Sequence, residues 1–109
     1  MTPEGKIKAA VKRVLNRMWE TYHHWPVQNG MGAPWLDCHG CYRGMYFAIE
    51  TKAPGKVPTP RQSQTIASIA AAEGCVLVIS SLGGAEEIPQ LLEYFYDKLT
   101  QRGACNTRA

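Results

Sequence analysis

A tight turn between two strand-like runs constrains the fold of this chain more than any other feature. The turn is Arg43-Gly44, at the centre of the segment LDCHGCYRGMYFAIETK, residues 36–52. The flanking runs are rich in apolar and aromatic residues, and Gly44 can adopt the positive φ that short hairpin turns require. If Arg43 and Gly44 form a two-residue loop, opposed residues have numbers that sum to 87, as 37 and 50 do. The sequence therefore predicts a β-hairpin in which Asp37 faces Glu50.

This register places three charged side chains on one face of the hairpin. Directly opposed residues have Cβ atoms roughly 4.5 to 5.5 Å apart, so Asp37 and Glu50 would both be within reach of one ion. Lys52 follows Glu50 by two positions and shares its face, about 7 Å along the strand. The residues predicted to point to the other face, into a core, are Met45, Phe47 and Ile49.

Two facing carboxylates favour a bound cation, because like charges at this range oppose joint ionisation. A small number of hard oxygen ligands suits Mg²⁺ or Mn²⁺ better than zinc. Such an ion can activate water and stabilise a phosphate in its transition state, while Lys52 orients the nucleophile or balances charge. The alternative is a surface hairpin whose Asp and Glu are bridged by a lysine, and these three residues alone do not distinguish the two.

Further segments occur in a specific order over residues 2–80. They are TPEGKIKAAVKRVL, Gly32-Ala33-Pro34 ahead of Asp37, FAIETKAPGK, PTPRQ and AAEGCVLVIS. With these segments the chain resembles a small stand-alone VRR-NUC domain of the PD-(D/E)xK nuclease superfamily, of the kind encoded by phages. One feature departs from the family pattern. There the proline and the aspartate are adjacent, whereas Trp35 and Leu36 separate Pro34 from Asp37 here.

The resemblance implies a fold, an activity and a set of site residues. The implied fold is a restriction-endonuclease-like α/β fold with an αβββαβα core, a mixed sheet flanked by helices. The implied activity is Mg²⁺-dependent hydrolysis of DNA phosphodiester bonds, with Mn²⁺ able to substitute and a 5′-phosphate left on the product. The substrate would be branched DNA such as a Holliday junction, cut by a homodimer.

The implied catalytic residues are Asp37, Glu50, Lys52 and Gln62, and the implied metal ligands are Asp37, Glu50, Thr51 and Glu4. Two of them have simpler explanations. Glu4 could be a helix-start carboxylate stabilised by the helix dipole, and Gln62 an ordinary first-turn residue. The alternative function is a non-catalytic nucleic-acid-binding module that retains the nuclease fold.

The whole chain is compatible with a single small domain. Its 109 residues predict one domain over 1–100 and a flexible tail over 101–109. No apolar run approaches the ~20 residues of a membrane span, and the N-terminus lacks a signal-peptide core. We therefore expect a cytoplasmic protein, in the host cytoplasm if it is phage-encoded. A net charge of +3 fits transient contact with nucleic acid.

The remaining elements follow from caps and periodicity. A first helix capped by Thr2 has an apolar stripe; its members are Ile7, Val11, Val14, Leu15 and Met18. The basic residues off that stripe, which either contact phosphate or face solvent, are Lys6, Lys8, Lys12, Arg13 and Arg17. A strand is predicted over 22–27, followed by a glycine-rich loop over 29–32, and a last helix over 85–99.

A second helix and a strand are expected between residues 59 and 79. The helix runs from Thr59 to Glu73 with Gly74 as its left-handed stop, and the strand over 75–79 is predicted to be buried on both faces. The connection from the Lys52 strand through this helix should be a parallel, right-handed crossover. The small residues expected to let the helix lie close to the sheet are Ala67, Ala70, Ala71 and Ala72.

Cysteine and aromatic residues allow further interpretations. A structural zinc could be held by Cys38, Cys41 and His39, but a fourth ligand is not evident, and free thiols are the default.

The histidines and aromatic residues near the predicted first strand allow other roles. His23 and His24 could contact phosphate or metal. The tryptophans Trp25 and Trp35 could stack on unpaired bases or pack in the core. Residues that could serve a dimer interface, or the core, are Trp19, Tyr94 and Tyr96; Lys56 could touch DNA.

Overall fold

The chain forms a four-stranded mixed sheet with helices packed against it. The computed structural model describes residues 1–27 and 35–106, so the loop predicted over 29–32 lies outside the described residues. The elements are α1 Pro3–Asn16, β1 Thr21–His24, β2 Cys38–Tyr42, β3 Met45–Thr51, α2 Pro60–Ala71, β4 Cys75–Ile79, α3 Leu82–Glu86 and α4 Ile88–Asn106. The sheet order is β1-β2-β3-β4, antiparallel except for the parallel β3–β4 pair. The predicted αβββαβα fold is confirmed, with its last helix divided in two.

The β2–β3 hairpin has the predicted register. Tyr42 pairs with Met45 and Cys38 pairs with Ile49, so opposed residues are related as the two-residue loop requires. Arg43 and Gly44 have φ values of 48° and 90°. Two successive positive φ values are characteristic of the type I′ turn, whose twist matches that of paired strands. Local turn geometry therefore fixes the alignment of the two strands that carry the acidic residues.

The core lies between one face of the sheet and the helices α1, α3 and α4. α1 begins where Thr2 Oγ1 accepts a hydrogen bond from Gly5 N at 3.0 Å. Most of its predicted apolar stripe is buried, and Met18 packs at the margin. Phe47 and Ile49 of β3 are fully buried against this stripe, as predicted. Among residues 1–27 and 35–106, no helix is long and apolar enough to cross a membrane.

The predicted packing of α2 is wrong. Its alanines, Ala67 and Ala70 to Ala72, are exposed, and the side chains turned toward the sheet are the partly buried Gln62, Thr65, Ile66 and Ile69. Gly74 is also not the left-handed residue after the helix, because Glu73 has that conformation, with φ of 67°. Gly74 is needed for space: a Cβ there would lie 2.7 Å from Ile69 Cγ2.

The predictions for β1, for the burial of β4 and for the last helix also differ from the structure. β1 ends at His24, short of the predicted Val27, and β4 is buried on one face only, since Val78 is 42% exposed. The last helix breaks at Glu87 because Pro89 lacks an N–H to continue the α3 ladder. α4 then continues to Asn106, into the segment predicted as a tail.

Gly40 is the position in the sheet where a side chain is least tolerable. It pairs with His23 across β1 and β2, and a Cβ at Gly40 would overlap the backbone carbonyl of Tyr22. We expect Gly40→Ala to lower the free energy of unfolding by about 1–3 kcal/mol, measured by urea denaturation, because backbone must shift. The matched control is Gly83→Ala in α3, where nothing lies within 4 Å and a small gain of about 0.5–1 kcal/mol is expected. Equal stability of the two variants would contradict this strand spacing.

Candidate active site

Asp37 and Glu50 meet at the end of the β2–β3 hairpin. Glu50 is the sixth residue of β3 and Asp37 directly precedes β2. Asp37 N donates a hydrogen bond to Glu50 Oε1 at 3.2 Å. Glu50 is only 3% exposed, although carboxylates are seldom buried without partners. The structure therefore brings the two acids together as the hairpin register predicts.

Thr51 fixes the orientation of the Asp37 carboxylate. Its backbone N–H and its Oγ1 both donate to Asp37 Oδ2, at 2.9 and 2.7 Å. Thr51 is completely buried. Two donors on one oxygen hold the carboxylate in place and leave Oδ1 as the oxygen with other neighbours. The Thr51 side chain thus acts on Asp37, and no contact in the structure tests its predicted role as a ligand.

The other acid, Glu50, has two partners on its second oxygen. Gln62 Nε2 donates to Glu50 Oε2 at 2.8 Å, and Lys52 Nζ lies 3.6 Å from the same atom. Burial, with smaller contributions from the charges of Asp37 and Glu4, raises the pKa of Glu50 to about 7, against the opposing effects of Lys52 and the Asp37 amide. The carboxylate is therefore poorly stabilised by the protein alone near neutral pH.

Gln62 connects the acidic pair to the start of α2. Its Oε1 accepts from Thr59 N at 2.9 Å while Thr59 Oγ1 accepts from Gln62 N at 3.2 Å, which is a capping box. The side-chain nitrogen of Gln62, Nε2, is not used by the cap and donates to Glu50. The side chain of Gln62 therefore caps the helix and also contacts Glu50.

α1 contributes a residue that the sequence did not single out for the site. Lys8 Nζ lies 3.7 Å from Asp37 Oδ1. Glu4, one turn earlier, is half-buried and close enough to affect Glu50 electrostatically. Residues four apart share a helix face, so the pairing of a predicted ligand at 4 with a cation at 8 was the available signal.

Comparison with solved structures supports this architecture. A structure described as a VRR_NUC domain superposes with a TM-score of 0.70, covering 83% of this chain and 97% of that chain at 17% identity. The chain has the VRR_NUC fold. No protein-family model and no curated protein sequence matches it. At 17% identity the likeness shows the fold alone.

Within this VRR_NUC fold the carboxylates are suited to a cation that takes few protein ligands. The described residues contain no cluster of three or more His, Cys, Asp or Glu side chains that could enclose a metal. Magnesium commonly uses one or two carboxylates and completes its shell with water and substrate phosphates. The pair Asp37 and Glu50 meets that requirement, whereas a closed structural zinc site does not arise from it.

The cysteines of β2 are poorly placed for zinc. Cys38 is fully buried and Cys41 is half-buried; at a spacing of three they face opposite sides of the strand. Burial raises the pKa of Cys38 to about 12 and that of Cys75 to about 11, which favours the neutral thiol over the thiolate ligand. These positions argue against a zinc site built on Cys38, Cys41 and His39.

The histidines and tryptophans near β1 mostly contact one another and their neighbours. His23 Nε2 lies 3.1 Å from Asn16 Oδ1, and Trp25 Nε1 donates to His23 Nδ1 at 3.1 Å. Trp35 stacks on His39 with ring centroids 4.6 Å apart, and the rings of His39 and His24 meet edge to face.

Three aromatic residues were predicted to serve either a dimer interface or the core. Trp19 and Tyr94 are exposed, while Tyr96 packs on Tyr42.

Proposed function

We propose that the chain is a metal-dependent DNA endonuclease. The observation that carries the proposal is the placement of Asp37 against Glu50 with Lys52 on the same carboxylate. Two hard anionic donors beside an ammonium group can bind a divalent cation and a phosphodiester together. The VRR_NUC fold supports the same function, because it is the fold of a nuclease superfamily that the sequence also resembles.

Asp37 Oδ1 and the Glu50 carboxylate are the proposed ligands, and Mg²⁺ or Mn²⁺ the proposed cation. The fit has a physical basis, since the pKa of Glu50 raised to about 7 reflects a buried anion beside another anion. A divalent cation would remove that penalty. Glu4 and the peptide of Thr51 are further candidate ligands. When bound, the cation supplies Lewis-acid stabilisation of charge developing on phosphate oxygens.

The protein side chains then have separate tasks. Lys52 would hold the attacking water or balance the charge that builds on the phosphate, from a position 3.6 Å from Glu50 Oε2. Gln62 and Thr51 keep Glu50 and Asp37 in fixed orientations through the hydrogen bonds they donate. Hydrolysis on this pattern would leave a 5′-phosphate.

We further propose branched DNA, such as a four-way junction, as the substrate and a homodimer as the active form. One chain of this size carries one centre, so cutting two strands symmetrically requires two copies. The exposed Trp19 and Tyr94, at 88% and 54%, are suitable interface residues. The proposed place of action is the cytoplasm, that of an infected host if the gene is carried by a phage.

A cleavage assay on several DNA structures tests the proposal. Four-way-junction, flap and linear duplex oligonucleotides of equal length are incubated with the protein in Mg²⁺, Mn²⁺ or EDTA. We expect cation-dependent cleavage, fastest on the junction, with 5′-phosphate ends. Binding of DNA without cleavage in either cation would favour the alternative, a non-catalytic nucleic-acid-binding module. Light scattering of the protein measures whether it is a dimer.

Gln62 and Thr59 separate helix capping from the proposed catalysis. Gln62→Ala removes the half of the capping box that its side chain accepts, together with the hydrogen bond to Glu50, so we expect about 1 kcal/mol of lost stability and about tenfold slower cleavage. Thr59→Ala removes the other half of the capping box and leaves the bond from Gln62 to Glu50, so we expect a similar loss of stability with cleavage nearly unchanged. Denaturation and initial cleavage rates of both variants measure the two effects. Equal rates for the two variants would reduce Gln62 to a capping residue.

A further inference from the structure

Among the described residues, Lys8 of α1 is the lysine that pairs with the Asp37 oxygen proposed to bind a metal. Lys8 Nζ lies 3.7 Å from Asp37 Oδ1, while Thr51 occupies Oδ2 with two hydrogen bonds. The Lys8 side chain is 36% exposed, in contrast to 12% for Lys52. Lys8 therefore reaches into the centre from the solvent side, on an acid that Lys52 does not contact.

A divalent cation bound at Asp37 Oδ1 would compete with the Lys8 ammonium group for this oxygen. Both are positive, and Oδ1 is the oxygen of Asp37 that accepts no hydrogen bond from Thr51. A lysine carries its charge on a flexible four-carbon stem, so Lys8 can move away while its helix stays fixed. Lys52 is more deeply enclosed and has less freedom to do so.

The charges of the proposed centre favour contact between Lys8 and a phosphate once a metal ion is bound. The acidic side chains of the centre are Glu4, Asp37 and Glu50, and the ammonium groups are Lys8 and Lys52. With a divalent cation bound and all five side chains charged, the centre would carry a net charge of about plus one, opposite to that of a phosphodiester. Each lysine contributes one unit of this charge, and Lys8 is the more exposed of the two, so it is the one placed to attract a phosphate from solvent.

We infer that Lys8 is a phosphate-binding residue of the proposed centre, which neutralises Asp37 in the cation-free protein and contacts a DNA phosphate once the cation replaces it. This inference rests on the proposed nuclease function and adds a residue and an order of events to it. The inference predicts two effects of opposite sign for one substitution. Removing the Lys8 charge should raise the affinity for the divalent cation and lower the affinity for DNA.

The first test measures the cation alone. Mn²⁺ is titrated by calorimetry into Lys8→Gln, into the wild type and into Lys6→Gln, in the absence of DNA. Lys6 is an exposed lysine of the same helix. Lys6→Gln removes the same positive charge as Lys8→Gln and therefore controls for the change in net charge. We expect Lys8→Gln to bind Mn²⁺ about threefold to fivefold more tightly, the size of a partly exposed ion pair, and Lys6→Gln to match the wild type. If Lys8→Gln bound Mn²⁺ no more tightly than the wild type, the inferred competition between Lys8 and the cation for Asp37 would be wrong.

The second test measures DNA. Binding of a duplex oligonucleotide is followed against salt concentration in Mg²⁺, with all proteins also carrying Lys52→Met so that the DNA stays intact. We expect Lys8→Gln to weaken binding and reduce the slope of log affinity against log salt by about one, as loss of a phosphate contact does. Lys8→Arg should restore the slope, and Lys98→Gln, an exposed lysine of α4, should retain it. A wild-type slope in Lys8→Gln overturns the inference.

The inference and the proposed function fail in different ways. If the wild type binds no Mn²⁺ and cuts no DNA, the nuclease proposal fails and the inference fails with it. If the wild type binds Mn²⁺ and cuts DNA while Lys8→Gln equals it in both titrations, only the role of Lys8 is excluded.

Discussion

Replacing Lys52 with methionine should reduce DNA cleavage at least about 100-fold while the protein remains folded. Lys52 places its ammonium group 3.6 Å from Glu50, where the attacked phosphate would be held. Methionine has a similar length but no charge and no proton to donate. Since Glu50 can take up a proton when its partner is lost, the fold should tolerate the change. Initial rates on the preferred DNA in Mg²⁺ measure the effect.

The matched control is Lys56→Met. Lys56 lies four residues further on, in the exposed segment between β3 and α2, and loses the same charge. We expect its cleavage rate to fall no more than severalfold, through weaker DNA contact. Circular dichroism and thermal denaturation show whether both variants are folded. Similar rates for Lys52→Met and the wild type would remove Lys52 from the mechanism.

Glu50→Gln should abolish cleavage and, in the cation-free protein, raise stability above pH 7. The amide keeps the shape of the carboxylate but binds a hard cation weakly. Folding raises the pKa of Glu50 from 4.5 to about 7, so the stabilisation from its proton is fully present below pH 4.5 and is lost as pH rises through 7. This loss is on the order of 3 kcal/mol in the wild type and absent in Glu50→Gln.

Denaturant unfolding in EDTA between pH 5 and pH 8 measures this difference. The control is Glu93→Gln, an exposed glutamate of α4, whose unfolding should follow the wild type across the range. Added Mg²⁺ should stabilise the wild type at pH 8 and leave Glu50→Gln unchanged, because cation binding requires the ionised acid. A cation-free wild type whose stability rises from pH 5 to pH 8 would contradict the burial of Glu50 beside Asp37.

The position of the acidic pair was predictable because it depends on local geometry. A two-residue turn at Arg43 and Gly44 determines every opposed pair in the hairpin, so Asp37 and Glu50 meet whatever surrounds them. Lys8 was different. Its contact with Asp37 depends on how α1 crosses the sheet, which is set by packing between distant segments. The spacing of Glu4 and Lys8 indicates only that the two residues share a helix face.

The errors in α2 and in the last helix have different causes. Helix periodicity gives a face but not the side chains that touch a neighbour, and α2 packs through Ile66 and Ile69 instead of its alanines. The role of Gly74 arises from its approach to Ile69, a contact between residues that the turn at Glu73 brings together. For the last helix the signal is local, since the missing N–H of Pro89 accounts for the break at Glu87.

The most direct test of the account is the position of a bound divalent cation. Crystals grown or soaked with Mn²⁺ give an anomalous difference map that locates the ion. We expect a peak within coordination distance of Asp37 Oδ1 and the Glu50 carboxylate, with Lys8 Nζ moved away from Asp37. A map with no peak between these carboxylates at saturating Mn²⁺, or a peak only at other residues, would contradict the proposed metal centre.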